Sequence, residues 1–460
     1  MNYQPMRITL DSWDNHYKQL RRDGLDEASY GGPISRHLKN GDRGLTKLRF
    51  DNSAAALRLW NFLLTEEQRL HQARAAGKKI VGTMKDLGTV PVLVYSFENI
   101  TAFYPDGAWW LPCIMGHDTD SLMIADSLGI DESFCPVRAM LGAFINKAHF
   151  PIPDQLICSV GATCDDFSAI AQRLNGLGFP ILWWEIPHRR SPEKSEIAIK
   201  LPGGFLAVKQ QVEFVKSELH RIKESLEDLT GQYSDENKLS AGIKKANLVR
   251  HYLAELRQLV FTAERCPMPA LEMLVAEMLA IHFCSDREES IIVLKGLVEE
   301  VKKRVHAKKG VHDLEAARIF WVNPVADIQI MNLLEDCGGR ICGTEYLFSH
   351  ALDIIPDNLP PEEALAQMAI ADPMAGSAID RAERICKDIR SYGSEAVLIS
   401  RIPGASHCAL EGQIIGEIVR TKFDIPVLEI EVPAVADSVC QMLRTRLEAL
   451  VETVINRRKK

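Results

Sequence analysis

Two distant stretches decide the fold: DQLICSVGATCDDFSAIAQRLNGLGFPILWWEIP at residues 154–187, and EAVLISRIPGASHCALEGQIIGEIVRTKFDIPVLEIEVP at residues 395–433. Each begins with an apolar run of strand length. A loop carrying Gly-Ala follows (Gly161-Ala162, Gly404-Ala405), and then a cysteine, Cys164 or Cys408, opens a helix-like segment. Each helix leads into a second apolar run that starts at a proline and closes on Glu-Ile-Pro or Glu-Val-Pro. Pro180 lies 16 residues after Cys164 and Pro426 lies 18 after Cys408. Strands alternating with helices predict parallel βαβ units. The repetition predicts two similar α/β domains, each a flavodoxin-like, doubly wound parallel sheet.

Outward from these units the texture changes. Residues 1–75 are polar and mixed, an N-terminal extension with a helix expected around Ala54–Ala75. The first α/β domain is expected over 76–204, with strand-like runs at Lys79–Met84 and Val90–Tyr95. From Val208, apolar residues recur at Val212, Val215, Leu219, Ile222, Leu226 and Leu229, one continuous helical stripe. Gly231 stands where a C-cap glycine belongs, and Ser234-Asp235-Glu236 suits the start of a further helix. Glu272–His282 and Glu288–His306 are also helix-like, so 205–310 forms a mostly helical section. Strand–helix alternation returns over 311–460, ending in a helix near Asp437–Asn456 and a basic tail.

The 460 residues exceed one ordinary core. Lys plus Arg total 54 against 62 Asp plus Glu, a net charge of −8 that argues against nucleic-acid binding. The N-terminus lacks the apolar core of a secretory signal, and FPILWWEIP is too short to span a bilayer. A soluble, cytoplasmic protein is expected. In a reducing compartment, 11 scattered cysteines read as buried thiols or metal ligands rather than a disulfide framework.

A loop at the C-terminal end of a parallel strand is where open α/β sheets place ligands. A cysteine at a helix N-terminus feels the positive end of the dipole, which favours the thiolate that iron and zinc bind. Facing domains would bring Cys164 and Cys408 to a shared cleft. A third candidate is Cys135, in DESFCPVRAMLGAF, with Pro136 suited to a first helical position. Two ordinary βα units with incidental cysteines fit the same pattern. There is no C-x-x-C, and Cys337 and Cys342 in CGGRIC are the closest pair, with Cys342 readable as a strand residue.

FCPVRAMLGAF, PDQLICSVGATCDD, LGFPILWWEIP, SLEDLTGQYSDENKLSAGIKKAN, GGRICGTEY, GASHC, IPVLEIEV and TRLEALVE, taken in order, are similar to a known family. From about Lys78 to Val451 the chain resembles the cluster-bearing subunits of the 2-hydroxyacyl-CoA dehydratase and ATP-dependent benzoyl-CoA reductase superfamily. The resemblance implies a [4Fe-4S] cluster held by Cys135, Cys164 and Cys408, and pairing with a homologous second subunit in a homo- or heterodimer. It implies a separate ATP-hydrolysing iron–sulfur activator that delivers one low-potential electron. The substrate would be an acyl-CoA or aryl-CoA thioester. In the dehydratases a ketyl radical then expels the hydroxyl; in the aryl-CoA reductases electrons enter the ring. A lyase subunit is the leading expectation, with a reductase subunit and a cluster-free scaffold or binding module as alternatives. The chain contains neither G-x-x-x-x-G-K-[ST] nor G-x-G-x-x-G, consistent with a partner using the ATP.

The resemblance also makes Glu98, in SFENITAF, a candidate for proton transfer, with a structural cap as its plainer role. His117 and Asp118 in MGHDTDS, and His407 beside Cys408, are weaker candidates for acids or hydrogen-bond donors. His188, Arg189 and Arg190 could hold an anionic group or lie in a solvated loop. Trp109, Trp110, Trp183 and Trp184 are most simply core aromatics. The resemblance does not extend to the residues before Lys78. Leu347 and Phe348 stand after Tyr346, where some relatives carry a further cysteine.

Overall fold

A computed structural model describes residues 4–28, 31–40, 43–86, 88–106, 118–282, 285–406 and 410–460. It contains two four-stranded parallel sheets of the same topology. In the first, β3 (Lys79–Met84), β4 (Ile100–Phe103), β5 (Gln155–Gly161) and β6 (Ile181–Ile186) lie in the order β4-β3-β5-β6. In the second, β9 (Ala317–Val322), β10 (Gly339–Glu345), β11 (Ala396–Arg401) and β12 (Val427–Glu431) lie in the order β10-β9-β11-β12. Both orders are the flavodoxin-like pattern, so the fold class read from the two repeated units holds. Each sheet reverses its winding between its first and third strands, β3 and β5 or β9 and β11. That is where α/β folds place ligands.

The strand sequences explain why both faces are covered. Side chains alternate between faces. Ile319, Trp321, Ala396 and Leu398 point into the large central core, while Phe320, Val322, Val397 and Ile399 point into a separate outer core. In the first sheet Val81 and Ile157 face the centre, and Ile80, Leu156 and Cys158 face outward. The outer layer of the first sheet includes α6 (Ala139–Asn146) and α7 (Asp165–Gly176). That of the second is α14 (Ala378–Tyr392) and α15 (Gly412–Phe423).

Four helices join the sheets: α8 (Lys209–Thr230), α9 (Glu236–Thr262), α10 (Ala270–His282) and α11 (Arg287–His306). The periodic stripe of α8 buries Val212, Val215, Leu219, Ile222 and Leu226. Gly231 closes it with φ 68°, the left-handed turn that favours glycine. The cap of α9 is Asp235, whose side chain accepts from the Lys238 N–H, and Ser234 lies one residue outside. The last helix, α16, runs Cys440–Arg458.

The N-terminal segment is tied in rather than loose. Strands β1 (Arg7–Thr9) and β2 (Arg49–Asp51) pair antiparallel, followed by α2 (Ala54–Leu64) and α3 (Glu66–Ala75). Asp51 forms a bidentate pair with buried Arg304 of α11 at 2.5 and 2.9 Å. Arg7 reaches Glu335 and Asp336, at the end of α12 (Gln329–Asp336) beside the second sheet.

One strand expectation is overturned. Val90–Val94 is a short helix, α4, not a strand. Its β-branched residues read as strand, but the Asp86 carboxylate accepts from the N–H groups of Thr89 and Val90, and Pro91 suits a first turn. No helix among the described residues is long and apolar enough to cross a membrane.

Candidate functional site

Cys164 is the N-cap residue of α7, directly after β5, with φ −55° and ψ 120°. Cys135 is the N-cap residue of the short 3-10 turn Pro136–Arg138 that leads into α6. Both are half-buried and not in disulfides. Cys408 and His407 lie outside the described residues, as do His117, Trp109 and Trp110. Among the described residues no group of three or more His, Cys, Asp or Glu side chains is set to hold a metal.

The segment leading to Cys408 nonetheless ends at the other two cysteines. Asp166, in the first turn of α7, accepts from the Ser406 backbone N–H at 3.1 Å and from the Ser406 hydroxyl at 3.3 Å. The Cys164 thiol faces the same carboxylate oxygen at 3.7 Å. Gly404 presses on the backbone just before Cys135: a Cβ there would meet the Phe134 carbonyl carbon at 2.6 Å and the Ser133 oxygen at 2.8 Å. Its φ of 75° is a second reason for glycine. The β11 loop of one lobe therefore rests on both cysteine-bearing segments of the other.

The far side of that loop is anchored as well. Glu411, the N-cap residue of α15, accepts from Arg381 Nη1 at 2.7 Å. Buried Arg381 also donates to Glu345 Oε2 at 2.8 Å through Nε and to Asn323 Oδ1 at 2.6 Å. Lys85, Asn323 and Leu347 follow the C-terminal ends of β3, β9 and β10 with φ of 69°, 75° and 70°. Left-handed backbone at non-glycine residues is costly and concentrates at functional edges.

The Cys164 thiol is not activated as the helix dipole alone would suggest. Burial, and then the charge of Asp166, push it up to about 12. N–H groups at the start of α7 and Lys85 act in the opposite direction without reversing the outcome. The N–H contribution is small beside desolvation.

Two acids in the seam titrate well above the ordinary carboxylate range. Burial lifts Asp86 to about 6 and Asp372 to about 7. Asp372 Oδ2 lies 3.8 Å from His350 Nε2. Lys85 is 1% exposed and donates from Nζ to Ser168 Oγ of α7 at 2.7 Å. None of Lys85, Asp86, Asp166, Arg381 or Asp372 stands out by sequence motif. The only signal was Asp165-Asp166 directly after Cys164, which reads equally as ordinary acidic helix-start chemistry.

Other sequence candidates fall elsewhere. Glu98 is exposed in the turn before β4, at the edge opposite the cysteine-bearing loops, with its backbone N–H bonded to the Gln232 side chain. Arg189 is buried rather than in a solvated loop. Its Nη1 donates to the carbonyls of Ile370 and Asp372, and its guanidinium stacks on Phe205 at 4.2 Å. Arg190 is exposed and pairs with Glu196. Trp184 is core, and Cys342 lies in β10. Phe205 also lines a cleft of about 1080 Å³ that includes Lys200, Arg257, Asp353, Arg384 and Lys387 and none of the candidate cysteines.

A family model described as 2-hydroxyglutaryl-CoA dehydratase, D-component, matches residues 91–454, which includes Cys135, Cys164 and Cys408. No curated protein matches the chain.

Proposed function

We propose, on the premise that this chain belongs to the 2-hydroxyglutaryl-CoA dehydratase D-component family, that it is the [4Fe-4S]-bearing subunit of a 2-hydroxyacyl-CoA dehydratase-type lyase. Cys135, Cys164 and Cys408 are the protein ligands in this reading. The observation that carries it is the shared carboxylate: Asp166 faces the Cys164 thiol and holds Ser406, two residues before Cys408. Gly404 against Phe134 supports the same convergence from the Cys135 side.

The donor set suits iron. Thiols at helix starts present the sulfur beside free N–H groups, which stabilise the thiolate once a metal has displaced the proton. The high affinity of Cys164 for its proton makes loading release that proton, so assembly favours alkaline pH. When bound, the cluster supplies one-electron transfer, and three protein thiolates leave one iron position open to a substrate oxygen. The chain's own Asp166 and Gly404 would hold the Cys408 loop against the segments that carry Cys164 and Cys135. The protein pairs with a homologous subunit, and a separate ATP-hydrolysing activator supplies the electron.

Iron and acid-labile sulfide analysis of anaerobically purified protein tests the reading. About four irons per chain, greatly lowered in Cys408→Ser, is the expected result. Iron-free, correctly folded wild type would defeat it and leave a cluster-free scaffold. With activator, ATP and reductant, loss of water from a 2-hydroxyacyl-CoA marks the lyase. Stoichiometric electron uptake with benzoyl-CoA marks a reductase instead.

A further inference from the structure

Lys85 is placed where an ammonium is costly. It is 1% exposed and carries left-handed backbone, φ 69°, just after β3. Its Nζ has one hydrogen-bond acceptor among the described residues, Ser168 Oγ, and no ion pair within 4.0 Å is formed there. Ser168 belongs to the first turn of α7, the positive end of that helix dipole, so the helix repels the cation rather than stabilising it. A buried charge without a partner is strongly destabilising. Burial lowers the affinity of Lys85 for its proton; Cys158, Cys164, Asp165 and Asp372 act in the opposite direction where they are anionic, without reversing it, and Cys164 becomes anionic only when a metal displaces its proton. Cys158 is in β5 and Cys164 caps α7, so the ammonium lies beside the strand–helix junction that carries a proposed ligand.

We propose that Lys85 is a built-in counter-charge for the anionic centre held at Cys164, and that it raises the reduction potential of that centre. The inference rests on the cluster reading above. A cluster on three thiolates becomes more negative on accepting an electron. A fixed cation nearby stabilises the reduced form, and net charge and local fields are what set cluster potentials. The same charge gives a lysine a role at a position where sterics favour glycine and the helix end favours an anion.

The test compares wild type, Lys85→Met and Lys85→Arg, each reconstituted with iron and sulfide under anaerobic conditions. Iron content, circular dichroism and the midpoint potential from an EPR-monitored redox titration are measured. Lys85→Met is expected to bind iron with a midpoint shifted to more negative potential, and Lys85→Arg to stay close to wild type. An unchanged midpoint in Lys85→Met, or an equal shift in Lys85→Arg, overturns the inference. If Lys85→Met folds but loses iron, retention by Lys85→Arg supports the charge requirement; loss in both well-folded variants refutes it. A wild type that binds no iron removes the cluster reading itself and this inference with it, a result distinct from an unshifted midpoint.

Discussion

Asp166→Ala should unhook the Cys408 loop from the first lobe. In the wild type the Asp166 carboxylate, 7% exposed, accepts two hydrogen bonds from Ser406, at 3.1 Å from the backbone N–H and 3.3 Å from the hydroxyl. Hydrogen bonds to a charged acceptor are worth roughly 1.5–3 kcal/mol each. The longer hydroxyl contact is taken as weak, so the backbone bond sets the scale. Losing it makes local opening of the loop roughly 10- to 150-fold more frequent, since about 1.4 kcal/mol is a factor of ten. The Ser406 amide is itself the donor, so its hydrogen exchange reports the opening directly. Exchange mass spectrometry on metal-free protein, resolved over residues 402–406, should show that acceleration. The protection of β11, paired in register with β12 from Val397 to Arg401, should not change. Asp166→Asn, which keeps an acceptor, should lie between. Unchanged exchange at Ser406 in Asp166→Ala would refute the idea that this carboxylate holds the loop in place.

Three other perturbations probe the frame around the site. Asp372 is held protonated by burial up to about 7 against an ordinary 3.8, so its stabilising contribution is complete below about 4 and lost as pH rises through 7. Urea unfolding should show the wild type losing up to roughly 4 kcal/mol more than Asp372→Asn between pH 4 and 8, and parallel pH profiles would contradict this. Gly404→Ala adds a Cβ 2.6 Å from the Phe134 carbonyl carbon, whereas Gly204→Ala, also at positive φ, meets nothing within 4 Å. Gly404→Ala should therefore lower the melting temperature clearly more, by the equivalent of about 1–3 kcal/mol in total, and equal melting temperatures would count against the close contact. Asp51→Ala removes the bidentate partner of buried Arg304 and leaves it Glu300 and the Pro267 carbonyl, at an expected cost of at most about 3–5 kcal/mol in thermal or denaturant unfolding. A near-neutral effect would mean that the N-terminal segment is not anchored there.

What the sequence made legible is what depends on short-range period. The α8 stripe, the Gly231 cap and the two βαβ units all follow from spacing within 20 or so residues, and all are present. Val90–Val94 failed because strand propensity was read from its valines, while the deciding feature is a carboxylate four residues earlier, Asp86. The pairing of β1 with β2 joins segments 40 residues apart through only three residue pairs, too weak a pattern to read without the fold. At the site, the helix-start position of Cys164 was legible, because an apolar run, Gly-Ala and the cysteine precede the helix. Its electrostatics were not. The dipole argument is local, but burial of Cys164 outweighs it, and the Ser406 contact on Asp166 comes from 240 residues away. Lys85 was invisible for the same reason: a lysine after a strand is ordinarily solvated, and only tertiary packing shows it enclosed.

Anomalous diffraction at the iron edge, from crystals grown without oxygen, addresses the central assignment in one step. The assignment predicts a single compact iron peak contacted by the Sγ atoms of Cys135, Cys164 and Cys408, with no fourth protein sulfur. Iron bound at other residues, or three sulfurs in separate environments with no iron between them, would contradict it.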